Sequence, residues 1–141
     1  MSVINLVLID DHTLFRTGLR FLLEQEEGFN VIGEATDGLS GIKLVEQLRP
    51  DVVLLDLDMP TMTGREALPQ LLNSQPDLAV LVLTVSEDAA DLTECMRLGA
   101  RGYLLKNINT ESLLQSIHKA VDGDSVLSPE MTSKLVSQLR S

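Results

Sequence analysis

Tryptophan is absent from this sequence, and one tyrosine and three phenylalanines are its only aromatic residues. The core must therefore be built from Leu, Val and Ile, and a hydrophobic content of 44% supplies enough of them for one globular domain of 141 residues. A single cysteine, Cys95, excludes an internal disulfide framework and fits a reducing compartment. Long apolar runs are missing too. The first, Val3 to Ile9, is too short to cross a bilayer and leads into two aspartates rather than a signal-cleavage site, so the chain reads as cytoplasmic with no membrane partner. Basic residues are scarce: eleven Lys and Arg stand against 21 Asp and Glu, a net charge of −10. Neutralising DNA phosphates takes clustered Lys and Arg, and no such cluster is present. If DNA is involved, another segment must make the contact.

What the sequence does have is alternation. Short apolar runs at Ile4 to Ile9, Asn30 to Ala35, Val52 to Leu55, Ala79 to Val85 and Gly102 to Leu105 read as strands. The third and fourth are apolar without a period of two, as expected of parallel strands covered on both faces. Between the runs lie helical patterns: Phe15, Leu19, Leu22 and Leu23; a weaker one through Ile42, Val45 and Leu48, stopped by Arg49-Pro50; Leu68, Leu71 and Leu72; Leu92, Cys95 and Met96, punctuated by Gly99; and Leu113, Leu114, Ile117 and Val121. Strict β/α alternation with five strands predicts a doubly wound parallel sheet of flavodoxin-like order 2-1-3-4-5. Residues 1–122 make up this unit. Residues 123–141 read as a linker with a further helix, opened by Ser128-Pro129 as N-cap and first helical position and carried by Leu135, Val136 and Leu139.

In such a sheet, ligands sit outside the carboxyl ends of the strands. Strand 1 runs into Asp10 and Asp11, strand 3 into Asp56, strand 4 into Thr84 and strand 5 into Lys106. A polar residue closing one strand is usually only the start of a loop, but here the fold gathers all of these on one rim. Three carboxylates roughly 5 Å apart repel by about 3 kcal/mol per pair at an effective dielectric near 20. A cation relieves that repulsion, and an all-oxygen donor set with open positions suits Mg²⁺. Beside such an ion Asp56 is a carboxylate nucleophile, Lys106 a point positive charge and Thr84 a hydroxyl donor to phosphoryl oxygens.

These residues in this order resemble the receiver domain of bacterial response regulators, from Asn5 to about Val121. Asp10-Asp11-His12, Arg16 and Gly18-Leu19 are similar to the opening of the NarL/FixJ type. So are Leu83-Thr84-Val85-Ser86, the run from Gly99 to Lys106, and Val126-Leu127-Ser128-Pro129, the Leu-Thr-Val-Ser stretch being most like nitrate/nitrite regulators. The resemblance implies Asp56 as phosphoacceptor. Asp11 and Asp56 would be direct metal ligands, Asp10 would act on the metal through water, and the backbone carbonyl of Asp58 would complete the set. It implies Thr84 and Tyr103 as a switch pair, with Asp58 and Ser86 flanking the route of attacking water and so setting the phosphoryl lifetime. The implied partners are a sensor histidine kinase, a second copy in a homodimer, and DNA only through a helix-turn-helix domain missing from this chain. Lys106 is followed by Asn107 where many receivers have Pro. Thr13 replaces a common Pro, and Val85 is bulkier than the usual residue after the strand 4 hydroxyl, which would narrow access to the phosphoryl group.

Rival readings rest on less. Asp56-Leu57-Asp58 is similar to the Asp-x-Asp start of haloacid-dehalogenase-type phosphatases, but that motif belongs on a first strand and here follows the third, with Pro60 two positions on. A receiver-like module that is never phosphorylated would typically lack an acidic residue or the lysine, and both are kept here. Flavin binding lacks a phosphate loop after strand 1. His12 reads as a solvated or capping group, His118 as surface, Cys95 as buried and inert, and Met59 and Met62 as packing.

Overall fold

A computed structural model describes residues 3–140 of the chain. Met1, Ser2 and Ser141, the outer ends of the two segments 1–122 and 123–141, lie outside them. The elements alternate as β1 (Ile4–Ile9), α1 (Thr13–Glu24), β2 (Phe29–Ala35), α2 (Gly38–Leu48), β3 (Val52–Leu55), α3 (Gly64–Ser74), β4 (Ala79–Thr84), α4 (Ala89–Arg97), β5 (Gly102–Leu105), α5 (Thr110–Val121), β6 (Val126–Leu127) and α6 (Pro129–Arg140). Every strand pairing is parallel, in the order β2-β1-β3-β4-β5-β6. The predicted 2-1-3-4-5 core is therefore present, and a sixth strand extends it. The strand limits differ by one residue at Phe29 and at Thr84. Val85 lies past the end of β4 and is exposed.

The two faces of the sheet explain the unbroken apolar strands. Val7, Ile9, Val53, Leu55, Val80, Val82, Tyr103 and Leu105 pack on one side, under Ile42, Val45, Leu68, Leu71, Leu92 and Cys95 of α2, α3 and α4. Leu6, Leu8, Val52, Leu54, Leu81, Leu83 and Leu104 pack on the other, under Leu19, Leu23, Leu113 and Ile117 of α1 and α5. Neighbouring residues of one strand thus serve opposite layers, so both strand parities must be apolar.

The C-terminal segment belongs to this assembly more closely than a linker pattern suggests. Val126 N–H donates to Arg101 O at 3.1 Å and Ser128 N–H to Tyr103 O at 3.1 Å, which lays β6 along β5. The buried Ser128 hydroxyl accepts from Leu105 N–H at 3.0 Å. Met131 then enters the core with no exposed surface, while Val136 and Leu139, counted with the helix pattern, remain exposed. Two residues of strand were too short to register as a β pattern. Gly99 ends α4 as anticipated, at φ +105°, a left-handed conformation that a side chain would strain.

Candidate functional site

Backbone bonds between strand ends build the rim. Asp10 N–H donates to Ala35 O at 3.0 Å, Asp56 N–H to Ile9 O at 3.0 Å, and Lys106 N–H to Thr84 O at 2.8 Å. Each ties the last residue of one strand to its neighbour, so the predicted polar residues emerge together. Asp10, Asp11 and Asp56, with His12, offer ligand atoms that all lie within 4.8 Å of one another. Asp10 and Asp56 are buried, while Asp11 and His12 are exposed.

Lys106 reaches across this group. Its Nζ is 2.8 Å from Asp10 Oδ2, 3.6 Å from Asp56 Oδ2 and 3.1 Å from His12 Nδ1, and it lies 4.5 Å from the centre of the Phe15 ring. Asp56 itself is 3% exposed. Its Oδ1 accepts from Leu57 N–H at 2.9 Å, and its Oδ2 is buried without a hydrogen-bond partner. Burial, then the Asp10 carboxylate, lift the Asp56 carboxyl from 3.8 to about 6, with Lys106 pulling the other way. A buried carboxylate oxygen with no donor, among further carboxylates, fits a hard divalent cation.

Thr84 has no exposed surface. Its Oγ1 accepts from Ser86 N–H at 3.2 Å, and the Ser86 carbonyl accepts from the buried Tyr103 hydroxyl at 3.0 Å. Thr84 and Tyr103 are therefore joined through the backbone of one residue. The Ser86 hydroxyl donates to Asp91 Oδ2 at 2.6 Å, and Asp91 in turn pairs with Arg65 of α3 at 3.0 Å. The side chain of Asp58 is exposed and stands outside the carboxylate group. Cys95 is fully buried, and burial followed by Asp91 pushes its thiol up to about 12, in keeping with an inert role.

Three contributions escaped the sequence reading. His12 occupies the N-cap of α1, but its ring makes no capping bond and joins the Lys106 group instead. Gly64 opens α3 directly behind Asp56: a Cβ there would collide with the carbonyl oxygen of Asp56. Arg16 donates to the backbone carbonyl of Asp10. Glycine after the capping residue Thr63 was a visible signal, whereas the other two depend on long-range geometry.

A doubly wound parallel sheet carries an acidic pocket facing a lysine at its strand ends, and comparison with known proteins supplies the family. The profile of the response regulator receiver domain matches residues 6–118, and the chain belongs to that family. It is 42% identical over 135 residues to the nitrate/nitrite response regulator protein NarL of Escherichia coli K12, covering 96% of this chain and 62% of that protein. With the transcriptional regulatory protein DegU of Brevibacillus brevis it shares 37% over 137 residues, covering 97% and 58%. The chain thus spans about three fifths of these relatives' length. Among solved structures, a LuxR-family two-component response regulator from Aurantimonas sp. SI85-9A1 superposes with a TM-score of 0.94 at 28% identity, covering 99% of this chain and 100% of that one. The isolated REC domain of RcsB from Salmonella enterica serovar Typhimurium, solved with phosphomimetic BeF3-, gives 0.86 at 27%, covering 95% and 99%. The protein is a receiver domain of a two-component response regulator of the LuxR/NarL type, regulatory rather than catalytic. Among the described residues, no helix is long and apolar enough to cross a membrane.

Proposed function

We propose that this receiver domain is switched by accepting a phosphoryl group on Asp56 from the phosphohistidine of a sensor histidine kinase. The observation that carries the reading is Asp56 Oδ2: buried, lacking a donor, and 3.6 Å from the Lys106 ammonium. In the transfer, this oxygen forms the new O–P bond as the P–N bond of the donor breaks and the departing nitrogen keeps the electron pair. Lys106 then pairs with the added phosphoryl oxygens, and the Thr84 hydroxyl donates to one of them. Asp10, Asp11, Asp56 and the carbonyl of Asp58 would hold Mg²⁺, which when bound supplies neutralisation of the incoming phosphoryl charge. Support for the cation comes from the group of carboxylates gathered at the strand ends.

Withdrawing the Thr84 hydroxyl toward the phosphoryl group breaks its bond from Ser86 N–H, the residue whose carbonyl holds Tyr103. Thr84 and Tyr103 thereby act as the switch pair, and the α4–β5–α5 face changes its population of states. Ser86 and Asp58 set the lifetime of the acyl phosphate. The segment from residue 123, through β6 and α6, leads from the receiver toward an effector domain. A homodimer and DNA binding through a helix-turn-helix domain are the outputs, in the cytoplasm. Incubation with Mg²⁺ and a small phosphodonor, followed by intact mass, tests the reading. One acid-labile phosphoryl group is expected, absent in Asp56→Asn. No gain, or the same gain in that variant, would overturn it.

A further inference from the structure

Arg16 lies in the first turn of α1, yet its guanidinium turns back onto the end of β1. Its Nε donates to Glu34 Oε1 at 2.9 Å, and its Nη1 donates to the backbone carbonyl of Asp10 at 2.5 Å. The side chain is only 12% exposed. Glu34 is held from both sides, because its second oxygen accepts from Arg20, which also binds Glu24 at 2.6 Å. Burial pushes the Glu34 carboxyl up, but the bonds from Arg20 and Arg16 outweigh it and keep it below the ordinary glutamate value, hence ionised.

A pair partly withdrawn from water in this way contributes little stability that apolar side chains of similar shape could not. α1 already has apolar anchors in Leu19 and Leu23. What apolar residues could not do is fix one carbonyl. The Asp10 carbonyl belongs to the peptide that joins the two consecutive acidic residues. A rigid donor on it sets the plane from which the Asp11 side chain departs. The other acidic groups have supports of their own: Asp10 binds His12 N–H at 2.8 Å and Lys106, and Asp56 binds Leu57 N–H. Asp11 is exposed, and no hydrogen bond among the described residues holds its carboxylate. Its direction depends on the backbone beneath it.

We propose that Arg16, braced by Glu34, is a positioning residue that locks the Asp10–Asp11 peptide and so presents the unsupported Asp11 carboxylate, together with Asp10 and Asp56, to a divalent cation. This rests on the metal-binding part of the proposed function. Groups that orient ligands from behind typically change metal affinity by about ten- to a hundredfold when removed.

The test measures Mg²⁺ affinity by calorimetry on the full chain without any phosphodonor, alongside the urea midpoint in EDTA. Arg16→Met should weaken Mg²⁺ binding by about tenfold. Arg16→Lys keeps the charge and stem but cannot hold Glu34 and the Asp10 carbonyl at once, so a smaller loss of about threefold is expected with a urea midpoint near that of the parent. A lowered midpoint with unchanged Mg²⁺ affinity in Arg16→Met would show a merely structural role and overturn the inference. If Arg16→Met does not fold, parental affinity in Arg16→Lys overturns it equally. Failure of the parent chain itself to bind Mg²⁺ would overturn the metal-binding reading, whereas equal binding by parent and variants would overturn only the role of Arg16.

Discussion

Replacing Asp56 by Asn should make the metal-free protein more stable, although it removes the proposed functional centre. Asp56 is buried beside Asp10, and its carboxyl titrates at about 6 instead of 3.8. A group that holds its proton more tightly when folded contributes stability fully below the unfolded value, and that contribution is lost as pH rises through the folded value. The window therefore runs from about pH 4 to above pH 6. Across it, a displacement of about two pH units is worth about 3 kcal/mol. The Asn side chain has nearly the same shape and no charge, and Lys106 keeps Asp10 at 2.8 Å as its partner. In EDTA at pH 8, Asp56→Asn should accordingly exceed the parent by about 3 kcal/mol, an advantage that largely disappears at pH 4. With a urea m-value of about 2 kcal/mol/M, the midpoint at pH 8 moves up by about 1.5 M. Equal midpoints at pH 8, or a gain of the same size at both pH values, would refute the claim that the charge buried at this position is only partly compensated.

Mg²⁺ at about a hundredfold over its Kd should raise parent stability at pH 8 by about 2.7 kcal/mol, and by clearly less in Asp56→Asn; a melting temperature indifferent to Mg²⁺ would count against the acidic group as its site. Met131→Ala should cost about 2–5 kcal/mol in urea unfolding, because the side chain is fully enclosed in the main core. A loss below 0.5 kcal/mol would mean α6 is not docked in solution. Cys95 should resist an aromatic disulfide reagent at pH 8 until urea unfolds the chain, since burial holds its thiol up at about 12; rapid native reaction would contradict that packing. Ser86→Ala should alter the rate at which the acyl phosphate decays, read by loss of the added mass over time, and an unchanged rate would remove Ser86 from the site.

The sheet and its rim were legible because they rest on local signals. Val52-Val53-Leu54-Leu55 announces a doubly covered strand, and the polar residue after each such run marks where the strand surfaces. The topology then brings Asp10, Asp11, Asp56, Thr84 and Lys106 together without further information. What stayed hidden depends on side-chain direction. Nothing in the spacing of His12 says that its ring, exposed as expected, will also meet Lys106. Arg16 looks like an ordinary polar helix residue until Glu34, eighteen positions away, is set beside it. β6 was invisible for another reason: two residues carry no periodicity, and their pairing with β5 needs room at Gly102, where a Cβ would collide with Val126.

β6 also bears on how the domain can be handled. Without it, β5 would be the outermost strand, and its Gly-Tyr-Leu-Leu backbone would present unpaired groups along an apolar edge. The addition is too short to recruit another strand, and the chain leaves it through Ser128-Pro129, whose proline has no N–H to offer. The C-terminal segment is therefore a guard against edge-to-edge association. A fragment cut after residue 122, where a receiver pattern invites the cut, would keep the whole acidic rim yet expose a sticky margin.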